Sequence, residues 1–276
     1  MNLPFTKMSG AGNDFIVVDN RDLGLPLNPD QVARLCDRHF GIGADGLLAV
    51  EPPANGADFR MRYYNADGGE ADMCGNGARC FARFVRGLNG EREAVSFETP
   101  AGLIRARYHG DEVEVNLTEP FDLRLGMEID LAGGPATVHH INTGVPHVVQ
   151  FVHDLPAFPV VERGRELRRH EAFAPSGANA NFIQCLEGGV YGIRTYERGV
   201  EDETLACGTG VSAGAIIAHL VEDAALPVRV QVRGGDLLAV NFSRDGDRIH
   251  DVSLRGPADI SFTGEINLQT LHQPVR

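Results

Sequence analysis

The sequence predicts an α/β (α+β) fold made of two similar halves. Three observations predict it. A motif occurs twice: Glu70-Ala71-Asp72-Met73-Cys74-Gly75-Asn76-Gly77 and Glu203-Thr204-Leu205-Ala206-Cys207-Gly208-Thr209-Gly210. In each copy a glutamate stands four residues before a cysteine, and Gly-polar-Gly follows that cysteine. An aromatic-polar pair precedes each copy, Tyr64-Asn65 and Tyr196-Glu197. Strand-like runs lead to each cysteine and a helical apolar pattern follows it. Two cysteines in matching settings predict a site built from two equivalent half-sites.

A chain of 276 residues suits two domains of ordinary size. Apolar residues at 43% and charged residues at 23% are the composition of a soluble globular protein. The formal charge of −13 excludes a polyanion partner, because nucleic-acid binders need basic stripes. A small charged metabolite remains a fitting ligand. Nothing in Met1-Asn2-Leu3-Pro4-Phe5-Thr6-Lys7 has the apolar run of an export signal. The longest uncharged stretch, 204–221, holds glycines, Thr209, Ser212 and His219. It lacks the ~20 strongly apolar residues of a membrane span and predicts a buried helix instead. Five cysteines, an odd number, predict reduced thiols in a cytoplasmic protein.

Taken in order, the chain opens strand-like to Lys7-Met8 and reaches Ser9-Gly10-Ala11-Gly12-Asn13-Asp14, then the strand Phe15-Ile16-Val17-Val18. The small residues predict either a tight turn or a loop that approaches a ligand; no Lys-Ser/Thr follows to make a phosphate loop. Asn28-Pro29 is a helix start, with Val32, Leu35, Cys36 and His39 on one face and Gly41 as the stop. Cys36 is read as a core thiol and His39 as a helix-end residue. Leu47-Leu48-Ala49-Val50 and Phe59-Arg60-Met61-Arg62-Tyr63-Tyr64 flank an Asn55-Gly56 turn and predict a hairpin.

After Cys74, Ala78, Phe81, Ala82 and Val85 repeat at helical spacing. Arg79, Arg83 and Arg86 are expected on the opposite face, with Gly87 as the stop and Cys80 as a packing residue. Strands follow at 94–97, 102–108 and 112–117, and residues 120–135 read as a crossing into the second half. There Asn179-Ala180-Asn181-Phe182-Ile183, after Gly177-Ala178, echoes residues 10–16, and 191–196 is a strand. Val211, Ala213, Ala215, Ile216, Ile217, Ala218 and Leu220 make the helix after Cys207 apolar nearly all round, so it is buried and wrapped by sheet. Strands are expected at 228–233, 237–242, 249–254 and 260–262, with one more strand-like segment towards Arg276.

A helix N-terminus presents unpaired N–H groups and partial positive charge, which favour a thiolate. Two such cysteines, one as thiolate and one as thiol, can take a proton from one face of a carbon and return one to the other. That is two-base racemase or epimerase chemistry. The Gly-x-Gly amides can hold a substrate carboxylate and its developing charge. A zinc site needs four ligands and usually Cys-x₂₋₄-Cys spacing, which the five cysteines lack. A Cys-His hydrolase uses one cysteine and leaves the duplication unexplained. A redox pair of Cys74 and Cys207 requires Cα atoms within disulfide range. Two buried structural cysteines are the remaining reading, and the matched motifs weigh against it.

The chain resembles the diaminopimelate epimerase family from end to end. The resemblance rests on residues 7–15 (Lys-Met-Ser-Gly-Ala-Gly-Asn-Asp-Phe), 41–46 (Gly-Ile-Gly-Ala-Asp-Gly), 65–68 (Asn-Ala-Asp-Gly), 73–77 and 144–147 (Gly-Val-Pro-His). Tyr196-Glu197-Arg198-Gly199 and residues 203–210 complete it. The cysteine motifs are shared with wider racemase relatives; Asn13, the Asn65 loop and Glu197-Arg198 make the resemblance specific.

The resemblance implies two pseudo-symmetric domains, each a curled, mostly antiparallel sheet around a central helix. The expected halves are 1–118 plus 263–276, carrying Cys74, and 119–262, carrying Cys207. It implies cofactor-independent interconversion of LL- and meso-diaminopimelate in lysine and peptidoglycan synthesis, without pyridoxal phosphate or metal, by a homodimer. Cys74 and Cys207 are the implied acid/base thiols. Gly75, Asn76, Gly208 and Thr209 would hold the reacting carboxylate, and Asn13, Asn65, Asn179, Glu197 and Arg198 the rest of the amino-acid substrate. His147 and Glu197 would tune the thiols. Two positions depart from some family members, which have asparagine at 145 and glutamine at 46 in contact with substrate; here they are Val145 and Gly46. Asn142 lies near enough in sequence to compensate. A related racemase acting on proline or hydroxyproline is the alternative enzyme, and a non-catalytic ligand-binding or redox-sensing protein the alternative of another class. The chemistry does not require Glu70 and Glu203, whose expected part is to cap or orient loops.

Overall fold

A computed structural model describes residues 2–90 and 92–269. Contacts divide the chain into two units, Met1–Val115 with the segment that begins at Pro257, and Asn116–Gly256.

In the first unit β1 (Asn2–Gly10) and β2 (Asn13–Asp19) form a hairpin. Its two turn residues, Ala11 and Gly12, both have positive φ, 60° and 88°. That geometry matches the twist of paired strands, so the small-residue loop is a tight turn. Helix α1 (Pro29–Cys36) starts as expected, with the Asn28 side chain accepting from the Gln31 N–H at 2.9 Å. It stops at Cys36, earlier than Gly41, because the Asp37 side chain accepts from the His39 and Phe40 N–H groups and turns the chain. His39 therefore lies beyond the helix. Gly41 instead permits close approach, since a Cβ there would meet the Arg34 carbonyl oxygen at 2.0 Å.

Strand β3 (Gly46–Glu51) runs parallel to β2, and β4 (Phe59–Asn65) returns antiparallel to β3. A two-residue strand, β5 (Glu70–Ala71), pairs with β4, and α2 (Gly75–Asn89) follows Cys74. This helix runs through Gly87 to Gly90, whose φ of 76° terminates it. Strand β6 (Ala94–Thr99) lies parallel to β4 and continues into β7 (Gly102–His109) and β8 (Glu112–Asn116), both antiparallel.

In the second unit residues 120–135 are no linker. They form most of a hairpin, β9 (Phe121–Leu131) and β10 (Gly134–Asn142), turning at Ala132-Gly133. Strand β11 (Pro146–Phe151) pairs with β10, helix α3 (Val160–Arg168) follows, and β12 (Asn179–Cys185) runs parallel to β11. Then come β13 (Val190–Glu197), a short β14 (Asp202–Thr204) and α4 (Gly208–Glu222) after Cys207. Strand β15 (Val228–Gln231) is parallel to β13, with β16 (Leu237–Asp245) and β17 (Arg248–Pro257) antiparallel beyond it. The chain then returns to the first unit, where β18 (Asp259–Asn267) pairs antiparallel with β1. Because β18 lies on β1, the division falls before 257, not before 263. The strand-like segment expected towards Arg276 lies largely outside the described residues.

The two units repeat one order: strand, helix, parallel strand, antiparallel strand, short strand, cysteine, 15-residue helix. That order makes β12 the counterpart of β3. The likeness of residues 177–183 to 10–16 is therefore not a structural equivalence, since β2 corresponds to β11. In the first unit α2 covers the sheet face bearing Phe15 and Leu48, and a Cβ at Gly77 would meet both at 3.3–3.4 Å. The opposite face packs Ile16, Val18, Leu47, Ala49 and Tyr64 against Val32, Leu35 and Cys36 of α1. In the second unit α4 is buried from Gly210 to Ala218. Helix α3 covers the other face, its Gly164 lying against Tyr196. So each sheet has a central helix on one side and a shorter helix on the other.

Candidate active site

Cys74 is the N-cap of α2 and Cys207 the N-cap of α4, both with extended backbone and with no side-chain capping bond. Their carbonyls take the first helical bonds, from Ala78 N–H at 2.7 Å and Val211 N–H at 2.8 Å. The N–H groups of the Gly-x-Gly turns therefore have no partner within their helix. The sequence places glycine here because a side chain would collide: a Cβ at Gly210 would lie 2.5 Å from Asn181 Oδ1 and 3.4 Å from Cys207 Sγ. Thr209 Oγ1 is 3.5 Å from Cys207 Sγ, and the Thr143 hydroxyl donates to the Thr209 carbonyl at 2.9 Å.

The glutamates that revealed the repeat have a defined part. Glu70 grips Arg62 through two bonds, 2.9 and 2.8 Å, and Glu203 grips Arg194 through two, 2.7 and 2.8 Å. Both arginines stand two residues before the matched tyrosines, which are themselves the register partners of the glutamates. Each fork ties the short strand before a cysteine to the long strand beside it.

In the first unit the starts of β2 and β3, the end of β4 and the start of α2 converge. Asn13 and Asn65 share one sheet face, since Phe15 pairs with Gly46 and Gly46 with Asn65. Asn13 Nδ2 lies 3.8 Å from Cys74 Sγ, while its Oδ1 is buried with no hydrogen-bond partner. Asn76 is buried, and its Oδ1 accepts from Arg79 at 3.0 Å. Arg79 is thus not on an outer face. It is fully buried and also donates to the Gly75 and Pro257 carbonyls at 3.4 and 3.3 Å. A helical pattern read from apolar residues alone cannot reveal a guanidinium satisfied by main-chain oxygens. Behind Asn13, Lys7 and Arg38 bind Asp14. Burial alone would raise that carboxyl, but these hydrogen bonds outweigh it and hold the pKa below the usual range.

Cys36 and Cys80 are packing residues, as expected: burial pushes both thiols up to about 12. Gly46 has no room for a longer side chain, because a Cβ would meet the Tyr64 carbonyl oxygen at 2.5 Å and the Tyr63 ring at 2.7 Å.

In the second unit the buried Asn179 accepts from the Arg198 backbone N–H at 2.7 Å, which brings that pair together. Arg198 also donates to the Ser176 carbonyl at 3.2 Å. Glu197 accepts from the Thr204 hydroxyl at 3.0 Å, and burial raises its pKa. His147 is fully buried, and burial, with repulsion from His140 and Arg198, lowers its pKa to about 3. Its Nδ1 accepts from Asn181 Nδ2 at 3.1 Å, so the neutral ring carries its proton on Nε2, which has no partner. Asn181 is a further residue of this site, beyond those the motifs mark. Its Oδ1 accepts from the Thr195 hydroxyl at 3.0 Å and its Nδ2 donates to the Val148 carbonyl at 3.0 Å, partners on β13 and β11, the strands on either side. The alternating asparagines at 179 and 181, on one face of a strand, were the signal. Asn142 Oδ1 accepts from the Gly144 N–H at 3.0 Å and closes the turn before Val145.

The family model for diaminopimelate epimerase matches residues 5–121 and 139–260. The chain belongs to the diaminopimelate epimerase family. Curated relatives of that name include those of Aquifex aeolicus (41% identical over 98% of this chain and 99% of the relative) and Laribacter hongkongensis (43%, 97% and 100%). Solved structures share the fold. A PhzF-family phenazine biosynthesis protein of Bacillus anthracis superposes with a TM-score of 0.71 over 97% of this chain and 99% of the other, at 18% identity. A hydroxyproline epimerase from Agrobacterium vitis gives 0.71 over 96% and 92%, also at 18%.

Proposed function

We propose that this family member interconverts LL- and meso-diaminopimelate with one thiol from each unit. Cys74 serves one face of the substrate α-carbon and Cys207 the other. As thiolate, either removes the α-proton; the electron pair left on carbon is delocalised into the carboxylate. The other thiol donates its proton from the opposite side, so configuration inverts and the protons balance. The N–H groups of Gly75-Asn76 and Gly208-Thr209 are suited to the carboxylate as negative charge develops on it.

The observation that carries this reading is that both cysteines cap buried helices whose first amides point past them. Asn13, Asn65, Asn179, Glu197 and Arg198 then bind the distal amino-acid end, where Arg198 suits a carboxylate and Glu197 an ammonium. Neutral His147 and the buried Glu197 tune the thiols. The reading needs no cofactor. Five free cysteines support a cytoplasmic setting. The exposed Ile260 and Phe262 of β18 offer a surface that a homodimer can bury, which light scattering of the purified chain tests.

Deuterium wash-in at the α-carbon of LL-diaminopimelate is the direct test. Cys74→Ala and Cys207→Ala should each lower epimerisation by at least about 10³-fold, in line with loss of an acid/base group. Retained turnover in either variant overturns the two-thiol assignment. Preference for proline or hydroxyproline over diaminopimelate would move the chain to the other racemase activity.

A further inference from the structure

Tyr63 stands two residues before Asn65 on β4 and so points to the same sheet face. Its ring lies across Gly46, the register partner of Asn65, and meets Phe15 edge-on at a centroid distance of 6.1 Å. Only glycine at 46 leaves the ring that place. The residue is 9% exposed, yet its hydroxyl reaches the edge of the site and donates to Asn65 Oδ1 at 2.8 Å. The Asn65 main chain is already closed by its own loop, with Asn65 N–H bonded to the Gly69 carbonyl and the Gly68 N–H to the Asn65 carbonyl, both at 2.9 Å. The backbone fixes where Asn65 stands; Tyr63 fixes which way its amide faces.

An amide held by its oxygen presents its two N–H donors outward. Such a group pairs with a carboxylate oxygen and not with an ammonium. We infer that Tyr63 is a positioning residue that locks the exposed Asn65 amide with its donors turned to the substrate, making Asn65 a reader of the substrate's distal carboxylate. This rests on the proposed substrate and adds the residue that sets the polarity of one of its contacts. The second unit has no copy of the device: the counterpart of Tyr63 is Thr195, whose hydroxyl goes to Asn181 beneath Cys207.

The test is a kinetic cycle on diaminopimelate with Tyr63→Phe, Asn65→Ala and the double variant. Phenylalanine keeps the ring against Phe15 and Gly46, so near-ultraviolet circular dichroism should be unchanged. Tyr63→Phe should raise KM about fivefold, the scale of one hydrogen bond, with kcat within about twofold of wild type. In the Asn65→Ala background it should change KM by less than about twofold. Asn65→Asp keeps an acceptor for Tyr63 and replaces the outward donors with negative charge. It should raise KM beyond the Asn65→Ala value. An unchanged KM in Tyr63→Phe, a loss confined to kcat, or a fivefold effect that persists without Asn65 overturns the positioning role. A KM for Asn65→Asp at or below wild type overturns the carboxylate assignment. If the wild-type chain exchanges no α-proton, the proposed activity fails. Calorimetric Kd values for diaminopimelate on the same five proteins then decide this inference by the same ratios.

Discussion

The two glutamate–arginine forks are equivalent in sequence and unequal in surroundings, so removing each carboxylate should have unequal consequences. The Glu203 side chain is 4% exposed and that of Glu70 is 38% exposed. Glu203 also lies 3.2 Å from Arg233, a second cation. Glu203→Ala would strand the Arg194 guanidinium in a largely dry setting. Breaking a buried pair by deleting one partner costs about 3–5 kcal/mol. Arg194 keeps three acceptors for Nη1, the Leu155, Pro156 and Phe158 carbonyls at 2.8–3.1 Å, which puts the expected loss at the lower end, about 3 kcal/mol.

Glu70→Ala removes a pair open to water, worth about 0.5–1 kcal/mol. For a unit of this size those losses correspond to Tm shifts of about 6–12 °C and under about 4 °C. Urea unfolding followed by circular dichroism, with both variants in one buffer, measures the difference. Equal losses, or a Glu203→Ala loss below about 1 kcal/mol, would refute the claim that burial and not motif sets the strength of the fork.

Other expectations are open to direct measurement. Burial keeps His147 neutral, so its folded pKa of about 3 lies below the unfolded value near 6.5. As pH falls through about 6.5 the unfolded chain gains a proton that the folded chain refuses. Stability should therefore fall by about 1.4 kcal/mol per pH unit from this group until about pH 3, where the effect saturates. His147→Gln should flatten that acid limb; an unchanged slope between pH 7 and 5 counts against a neutral buried ring. At Gly164 a Cβ would sit 2.2 Å from Tyr196 Cβ, so Gly164→Ala should force α3 off the sheet and cost about 3 kcal/mol. A variant melting within 2 °C of wild type would show that the helix shifts freely.

The features legible in the sequence were local ones. Asn28-Pro29 starts α1 because cap and first-turn chemistry act within four residues. The turn at Ala11-Gly12 and the hairpin around Gly56 follow from backbone freedom at single positions. The apolar run after Cys207 marks α4 as buried without knowledge of its neighbours. Helix α3 is not legible in the sequence because its residues 160–168 are mostly charged, and Val160, Gly164 and Leu167 are a thin apolar stripe. The burial of Arg79 is not legible there either, because its acceptors, Asn76 Oδ1 and main-chain carbonyls, include one 178 residues away.

The sequence by itself determined that two thiols stand at glycine-rich helix starts in two related halves. Glycine spacing, apolar period and duplication are written in consecutive residues, so no partner elsewhere is needed to read them. Only the tertiary structure decided the company those thiols keep. It made β12 the counterpart of β3, put Asn181 beneath Cys207, buried Arg79 and turned the Tyr63 hydroxyl to Asn65. Each of these depends on strand register across long separations, and register aligns side chains whose positions in the sequence carry no mark of one another.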